Sequence, residues 1–180
     1  MGVINIKGKT FEKYISRQEI DLIIKSLSQR INRDYLGKEI CFIVILNGAF
    51  LFGSDLFKQI EGLPTISFIK VSSYDGLLSS GKMKELIGLN SDIKGKDVII
   101  VEDIVDTGNT MELILEMLRK KEPSSLEICT LMFKPQSFKK DFNIKYIGRE
   151  ISDEFIIGYG FDFDEYGRNL KDIYQIKNEI

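Results

Sequence analysis

The sequence predicts an α/β fold in which a central, mostly parallel, twisted sheet is flanked by helices. Residues 40–46 form a continuous apolar run, and an unbroken run of this kind is typical of a strand buried on both faces, as parallel sheets require. The order strand, helix, strand between residues 98 and 133 predicts a right-handed crossover within such a sheet. With 180 residues, 43% of them hydrophobic, the chain can bury one substantial core, so we expect residues 1–180 to form a single domain.

The first half of the chain predicts two helices and two strands. Ser16 and Glu19 form an S-x-x-E capping box, which marks the start of a helix. Apolar residues follow at a spacing of three and four, which is typical of a helix that packs on a sheet, namely Ile20, Ile23, Ile24, Leu27 and Ile31. After the strand at 40–46, residues 50–60 are expected to be helical, and the β-branched run 65–71 to be a strand.

The second half begins with a long polar stretch. Residues 72–96 are rich in Ser, Gly, Lys and Asp, and within them only 82–89 could form a short strand. A loop of this length in a compact domain is usually a lid or is disordered, so we expect a mobile lid over about 73–95. The remaining predicted elements are strands at 98–101 and 126–133, a helix over about 110–121, and short strands at 145–147, 154–159 and 173–176.

Composition and charge exclude several classes of function. Lys and Arg total 25 against 27 Asp and Glu, and they are not clustered, which argues against a surface for nucleic acid or anionic membrane. The chain has no histidine, which excludes Ser-His-Asp and Cys-His systems and every His-ligated metal centre. Cys41 and Cys129 lie in apolar runs without a CxxC neighbour and are expected to be buried thiols. No export signal or membrane span is evident, so we expect a cytoplasmic protein.

The segment expected to carry the chemistry is residues 98–110, VIIVEDIVDTGNT. In an open parallel sheet, ligands bind beyond the carboxyl ends of the strands. Here a strand end is followed by three acids and then by a Thr-Gly-x-Thr turn into a helix. Gly108 allows a close approach of the backbone, the first amides of the helix are unpaired, and Thr107 and Thr110 add hydroxyl donors. The turn therefore predicts a site for a phosphate monoester.

Two carboxylates beside a phosphate need a partner between them. Two like charges ~4 Å apart repel by about 4 kcal/mol at an effective dielectric near 20. Glu102 and Asp103 could accept hydrogen bonds from vicinal sugar hydroxyls, while Mg2+ offsets their charge. A ribose 5-phosphate with a metal-bound leaving group satisfies these demands. The simpler alternative, in which Asp106 or Thr107 caps the helix, leaves the consecutive acid pair unexplained.

This segment resembles the signature of type I phosphoribosyltransferases, and the rest of the chain, from about residue 40 to 176, is similar to their hypoxanthine-guanine branch. The resemblance implies that Glu102 and Asp103 contact the ribose diol and the metal. It further implies that Asp106 is the general base or hydrogen-bond acceptor near purine N7, and that the 5-phosphate is held by Thr107, Gly108, Asn109 and Thr110. The cofactor would be Mg2+, and the substrates phosphoribosyl diphosphate and a 6-oxopurine.

The same resemblance assigns the purine side of the site. Lys134 resembles the family lysine that donates to the exocyclic 6-oxygen, and adenine offers no acceptor there, so an oxopurine is expected. Phe155 resembles the aromatic residue that stacks on the purine, and Ile156 would offer backbone groups to the base edge.

The resemblance also implies a diphosphate side. Asp162 would reach a diphosphate-bound Mg2+, Arg168 would contact the diphosphate, and Asn47-Gly48 would form a tight, often cis, turn. Many relatives carry lysine in place of Asn47, so a backbone role is expected there. Ser73-Tyr74 matches the dipeptide at the head of the family's lid. The family fold further implies a core over about 16–134, a small hood of short strands over about 135–180, and a homodimer or homotetramer.

Three alternatives remain at this point. The enzyme could prefer xanthine, because the 2-position of the base is not read by these residues. A non-catalytic relative could sense phosphoribosyl diphosphate as a regulator, although the unclustered charge argues against a nucleic-acid face. A single Asp-Thr-Gly is also found in aspartic proteases, but that chemistry would require a homodimer here.

Overall fold

The computed structural model describes residues 2–72, 84–89 and 91–177. The helices are α1 (Arg17–Asp34), α2 (Phe50–Phe57) and α3 (Asn109–Arg119). The strands are β1 (Val3–Ile6), β2 (Lys9–Ile15), β3 (Ile40–Leu46), β4 (Thr65–Ser72), β5 (Lys84–Ile87), β6 (Asp97–Val105), β7 (Ser125–Phe133), β8 (Tyr146–Glu150), β9 (Ile156–Ile157) and β10 (Ile173–Ile176). None of the described helices is long and apolar enough to cross a membrane.

A six-stranded sheet forms the centre of the molecule, in the order β5-β4-β3-β6-β7-β8. All neighbouring pairs from β4 to β8 are parallel, and β5 alone pairs antiparallel, so the predicted α/β fold with a mostly parallel sheet is confirmed. β4 and β5 lie on one side of β3, and β7 and β8 lie on the opposite side of β6, so the order of strands reverses between β3 and β6. The carboxyl ends of β3 and β6 therefore form the switch point at which open α/β sheets bind ligands.

Helices cover both faces of this sheet. On one face, α1 and α2 bury apolar side chains against Phe42 and Val44. On the other face, α3 packs on Ile43 and Ile100 through its predicted apolar stripe of Met111, Ile114, Leu115 and Leu118. The predicted capping box is present at the start of α1, since Ser16 and Glu19 exchange hydrogen bonds. Cys41 and Cys129 are buried free thiols, as expected.

A second, antiparallel sheet has the order β1-β2-β10-β9. Its first two strands form a hairpin over residues 3–15 that lies outside the hood range expected from the sequence, 135–180. In turn, β8 lies inside that range but pairs with β7 in the large sheet. The small sheet is therefore built from both ends of the chain, around Phe11, Ile157 and Tyr174.

Only part of the expected lid, 73–95, can be compared with the structure. Ser73 and Tyr74 lie outside the described residues. Residues 84–87 form β5, which pairs with the end of β4 through Ile87 and Lys70. Ile93 is buried against the large sheet. Of these described parts, β5 extends the sheet beside β4.

Candidate active site

The turn between β6 and α3 is open at the start of the helix. The N-cap is Gly108, with φ of +84°, so no side chain of Asp106 or Thr107 takes the capping position. A Cβ at Gly108 would approach Phe138 Cε2 and Lys140 Cγ at 2.8 Å, so both φ and space require glycine. Thr107 Oγ1 accepts a long hydrogen bond of 3.4 Å from Asn109 N. Thr107, Asn109 and Thr110 are exposed, as an anion cradle at a helix start requires.

The acid pair lies on the strand that leads to this turn. β6 continues to Val105, four residues beyond the predicted end at 101, because its pairing with β7 extends to Phe133. Its pairing with β3 stops at Val101, so the edge facing β3 is open from Glu102 onward. Asp103 Oδ1 accepts a hydrogen bond from Ile104 N at 2.8 Å.

A cavity of about 280 Å³ joins the acids to the turn. We call it the acid cavity; it is lined by Ile45, Leu46, Val71 and residues 102–111. Burial, followed by the charge of Asp103, holds the pKa of Glu102 well above its usual range. Burial also raises the pKa of Asp103. A cation or hydroxyl donors bound beside these two carboxyls would oppose this effect and favour their charged forms.

The chain after β3 makes a tight turn against Asp103. The peptide bond between Leu46 and Asn47 is cis, as the family resemblance implied. A Cβ at Gly48 would collide with the carboxylate of Asp103, and a Cβ at Gly160 would collide with the carbonyl oxygen of Gly48. Asn47 and Gly48 do not line the acid cavity, but this packing places their backbone beside it.

A second cavity of about 250 Å³ lies on the other side of the same segment. We call it the aromatic cavity. It is lined by Asp103, Ile104, Asp106, Lys134, Phe155, Ile156, Phe161 and Asp162. Asp103, Ile104 and Asp106 line both cavities. The structure thus brings the predicted phosphate and purine residues to two adjoining spaces that share these three residues.

Lys134 is buried, with 8% of its surface exposed, instead of extending into solvent as a lysine at a strand end usually does. Its Nζ donates to Asp106 Oδ2 at 3.0 Å and to the carbonyl oxygen of Asp153 at 3.1 Å. The ion pair fixes the ammonium group at the floor of the aromatic cavity, where it can donate to an acceptor on a bound ring.

Phe155 forms the aromatic wall and is 44% exposed. Its ring lies 5.8 Å from Phe163 at an interplanar angle of 81° and 6.5 Å from Phe11. These two supporting rings, and Phe161 in the cavity wall, were not singled out from the sequence. Ile156 is buried in β9, where it pairs with Gln175 of β10.

Asp162 and Arg168 form an ion pair of 2.7 Å. Arg168 Nη1 also donates to the carbonyl oxygen of Gly160 at 2.8 Å, and its Nε is buried without a hydrogen-bond partner in the part of the chain described. Asp162 accepts from the amide of Glu165 and lines the aromatic cavity beside Asp103. Within residues 2–72, 84–89 and 91–177, no cluster of three or more His, Cys, Asp or Glu residues that could hold an ion is present.

Comparison with known proteins places this geometry in a family. The sequence model of the phosphoribosyl transferase domain matches residues 12–164. The hypoxanthine-guanine phosphoribosyltransferase of Staphylococcus aureus strain Mu50 is 42% identical over 170 residues, covering 94% of this chain and 95% of that protein. The Aquifex aeolicus protein of the same name is 38% identical over 175 residues, covering 96% and 98%.

Solved structures agree with the sequence matches. A crystal structure of the Bacillus anthracis hypoxanthine-guanine phosphoribosyltransferase, with HEPES in its active site, superposes with a TM-score of 0.88 at 40% identity, covering 92% of this chain and 98% of that one. The matched domain includes the single Asp-Thr-Gly, which removes the aspartic-protease alternative. The chain is therefore an enzyme of the phosphoribosyltransferase family, within the glycosyltransferase class.

Proposed function

We propose that this enzyme transfers the 5-phosphoribosyl group of phosphoribosyl diphosphate to hypoxanthine and guanine, giving IMP, GMP and diphosphate, with Mg2+ as cofactor. The observation that carries the proposal is the pair of adjoining cavities that share Asp103, Ile104 and Asp106. A ribose lying across this shared segment would place its 5-phosphate at the turn 107–110 and its anomeric carbon near the aromatic cavity. The relatives named as hypoxanthine-guanine phosphoribosyltransferases support the same substrates.

The donor set suits a hard divalent cation. Mg2+ keeps several waters and is commonly bound by one or two carboxylates together with substrate oxygens, so Glu102 and Asp103 suffice without a third protein ligand. Asp162, which is paired with Arg168, would hold a Mg2+ bound to the diphosphate. When bound, the ion neutralises the departing diphosphate.

The chain's own residues supply the remaining steps. Glu102 and Asp103 orient the ribose hydroxyls and favour the positive charge that develops on the sugar. Asp106 accepts or orients the proton that the purine ring loses, a contribution on the order of 10²–10⁴ for an ordinary general base. Lys134 donates to the 6-oxygen of the base, and Phe155 stacks on the ring.

The test is a panel of bases. The protein is incubated with phosphoribosyl diphosphate and Mg2+ and separately with hypoxanthine, guanine, xanthine, adenine, uracil or orotate, and nucleotide formation is followed. We expect synthesis with hypoxanthine and guanine that is lost when EDTA removes the metal. Use of adenine or a pyrimidine alone would contradict the role of Lys134, and ligand binding without any synthesis would favour a sensor.

A further inference from the structure

We propose that Tyr159, held by Asp55 and Arg17, is a positioning residue that sets the backbone of the turn at Asn47-Gly48, and with it Arg168, for binding the diphosphate group. The inference rests on the proposed function. It concerns a network outside both cavities in which Tyr159 is buried and Asp55 and Arg17 are partly buried, since neither cavity is lined by Tyr159, Asp55 or Arg17.

Tyr159 sits in a turn with an unusual backbone. Gly158, Tyr159 and Gly160 all have positive φ, at 95°, 51° and 103°. A Cβ at Gly158 would collide with the carbonyl oxygen of Asp172, and one at Gly160 with that of Gly48. Residues 158–160 therefore contact the backbone of Asp172, just before β10, at one end. At the other end they contact the backbone of Gly48. A non-glycine residue in the left-handed region between two such contacts needs a compensating interaction.

The side chain of Tyr159 supplies that interaction. It is 1% exposed, and its hydroxyl donates to Asp55 Oδ2 of α2 at 2.8 Å. Arg17, the first residue of α1, donates to the same oxygen at 2.8 Å, and its guanidinium lies 5.1 Å from the centre of the tyrosine ring. Lys58 Nζ contacts the other oxygen of Asp55 at 2.6 Å. Burial alone would raise the pKa of Asp55, but these three donors outweigh it and hold the pKa below its usual value.

The network connects directly to the predicted diphosphate groups. α2, which carries Asp55, begins immediately after the cis turn: Ala49 is its N-cap, and Gly53 N donates to Ala49 O at 2.7 Å. On the other side, Gly160 O accepts from Arg168 Nη1, and Gly160 N donates to Arg168 O at 3.0 Å. Tyr159 thus sets the spacing between α2 and the 158–160 turn. The positions of the Gly48 backbone and of Arg168 depend on this spacing, because both contact Gly160.

The purine groups are held by other contacts. Lys134 is fixed by Asp106 and the Asp153 carbonyl, and Phe155 by Phe11 and Phe163. Loss of the Tyr159 hydroxyl should therefore weaken binding of phosphoribosyl diphosphate more than binding of the base. This separation distinguishes positioning from a general loss of stability.

The chain offers a closely matched control. Tyr146 is also 1% exposed, its hydroxyl donates to Asp34 Oδ2 at 2.9 Å, and Arg30 lies 5.4 Å from its ring centre. This second Tyr-Asp-Arg group joins the amino end of β8 to the end of α1 and lines neither cavity. Tyr146→Phe and Tyr159→Phe remove the same atom from the same kind of environment.

The experiment compares the two variants by steady-state kinetics and thermal unfolding. We expect Tyr159→Phe to raise KM for phosphoribosyl diphosphate by about three- to tenfold, the order expected for the loss of one hydrogen bond of ordinary net strength, with KM for hypoxanthine little changed. Tyr146→Phe should lower the melting temperature similarly and leave both KM values unchanged. Equal kinetic effects of the two variants, or an effect of Tyr159→Phe on the base alone, would overturn the inference.

Two further measurements complete the test. The double variant Asp55→Asn, Tyr159→Phe should have no larger KM for phosphoribosyl diphosphate than Asp55→Asn alone, because both changes break the same hydrogen bond. Additive effects of the two changes would contradict this. Amide exchange at Ala49 and Gly53 should accelerate in Tyr159→Phe and not in Tyr146→Phe. Amide exchange does not require turnover, so failure of the proposed function and failure of the positioning role can be told apart. A wild-type protein that makes no nucleotide would refute the proposed function. Unchanged amide exchange in Tyr159→Phe would refute the positioning role.

Discussion

At the scale of single residues, the proposed function makes the pair formed by Lys134 and Asp106 the link between base recognition and proton transfer. Both side chains line the aromatic cavity, and their 3.0 Å contact keeps each charge compensated. Because Lys134 is buried, its charge would cost several kcal/mol without a partner, so Asp106 stabilises the placement of the ammonium group. The two roles can be separated by removing one charge at a time.

Replacing Lys134 with methionine should remove the donor to the 6-oxygen while keeping most of the side-chain volume. We expect kcat/KM for hypoxanthine to fall by roughly 10- to 10²-fold, since a hydrogen bond that involves a charged group contributes about 1.5–3 kcal/mol. KM for phosphoribosyl diphosphate should change much less. Lys145→Met is the control, because Lys145 also forms ion pairs, with Asp34 and Glu127, but lines neither cavity. Equal losses in both variants would contradict the assignment.

Replacing Asp106 with asparagine should lower turnover by about 10²–10⁴, as expected for the loss of a general base. Binding of phosphoribosyl diphosphate should weaken far less, because the turn at 107–110 and the acids at 102 and 103 are untouched. Steady-state kinetics with both substrates varied gives the two values. A comparable loss in kcat and in affinity would assign Asp106 to binding.

These site residues differ in how far the sequence could identify them. Glu102, Asp103 and Asp106 stand together in the chain, so their juxtaposition with the turn at 107–110 follows from local order. Lys134 alone would be interpreted as an exposed lysine, and only the family resemblance singled it out. Phe11 could not be predicted as support for Phe155, because 143 positions separate them and the contact depends on how the small sheet assembles.

At the scale of elements, the apolar patterns in the sequence predict the central residues of strands and helices better than the residues at which they end. The apolar run predicts a strand end at Val101, yet β6 continues to Val105. Hydrogen bonding with β7 extends the strand through Glu102 and Asp103. The residues of β6 alone do not indicate which strand lies beside it, so this extension could not be predicted from them. The start of α1 was predictable, because the capping box is a local interaction between Ser16 and Glu19.

That capping box should make stability depend on pH. Hydrogen bonds from the Ser16 backbone and side chain, and then from Arg149, lower the pKa of Glu19 from its ordinary 4.5 to about 2. A lowered pKa in the folded state means that the carboxylate stabilises the fold above pH ~4.5 and that this contribution is lost as pH falls toward ~2. The difference in unfolding free energy between wild type and Glu19→Gln should therefore be largest near pH 7 and shrink below pH 4.5.

Denaturant unfolding at several pH values measures this difference. Ser16→Ala provides a comparison, since loss of the N-cap acceptor costs about 1 kcal/mol in typical helices. A wild-type to Glu19→Gln difference that stays constant from pH 7 to pH 3 would show that ionisation of Glu19 does not contribute to stability, and would contradict this prediction.

At the scale of the whole molecule, the small sheet depends on both ends of the chain. β10 pairs with β2 on one side and with β9 on the other, so the strand after Phe155 is linked to the first hairpin. The sequence carries a signal for that hairpin, because Lys7-Gly8 separates two short alternating segments. In the structure both residues of this turn have positive φ. The order of strands in the large sheet has no such local signal, since it depends on which buried strands meet.

This assembly predicts that Phe11 influences base binding from outside the cavities. Phe11 is fully buried, and its ring lies 6.1 Å from Phe163 and 6.5 Å from Phe155. Phe11→Ala should lower stability by about 3–5 kcal/mol and raise KM for the base, because the stacking ring loses its support. Phe11→Leu should show the same kinetic direction at a smaller cost in stability, which keeps the test valid if the alanine variant does not fold.

The control for this prediction is Phe42→Leu in the large sheet. Phe42 is equally buried and forms an edge-on pair with Phe57 at 5.8 Å, on the face covered by α1 and α2. It should lower stability without changing KM for the base. If Phe42→Leu and Phe11→Leu raise that KM equally, support of Phe155 by the small sheet is not the cause.

The central claim is that one ligand bridges the two cavities, with its phosphate at the start of α3 and its base beside Lys134. A crystal structure of the protein with IMP tests it most directly. We expect phosphate oxygens within hydrogen-bond distance of the amides of residues 108–110, the 6-oxygen within reach of Lys134 Nζ, and the purine ring on Phe155. IMP bound with its phosphate away from that turn, or with its base outside the aromatic cavity, would contradict the claim.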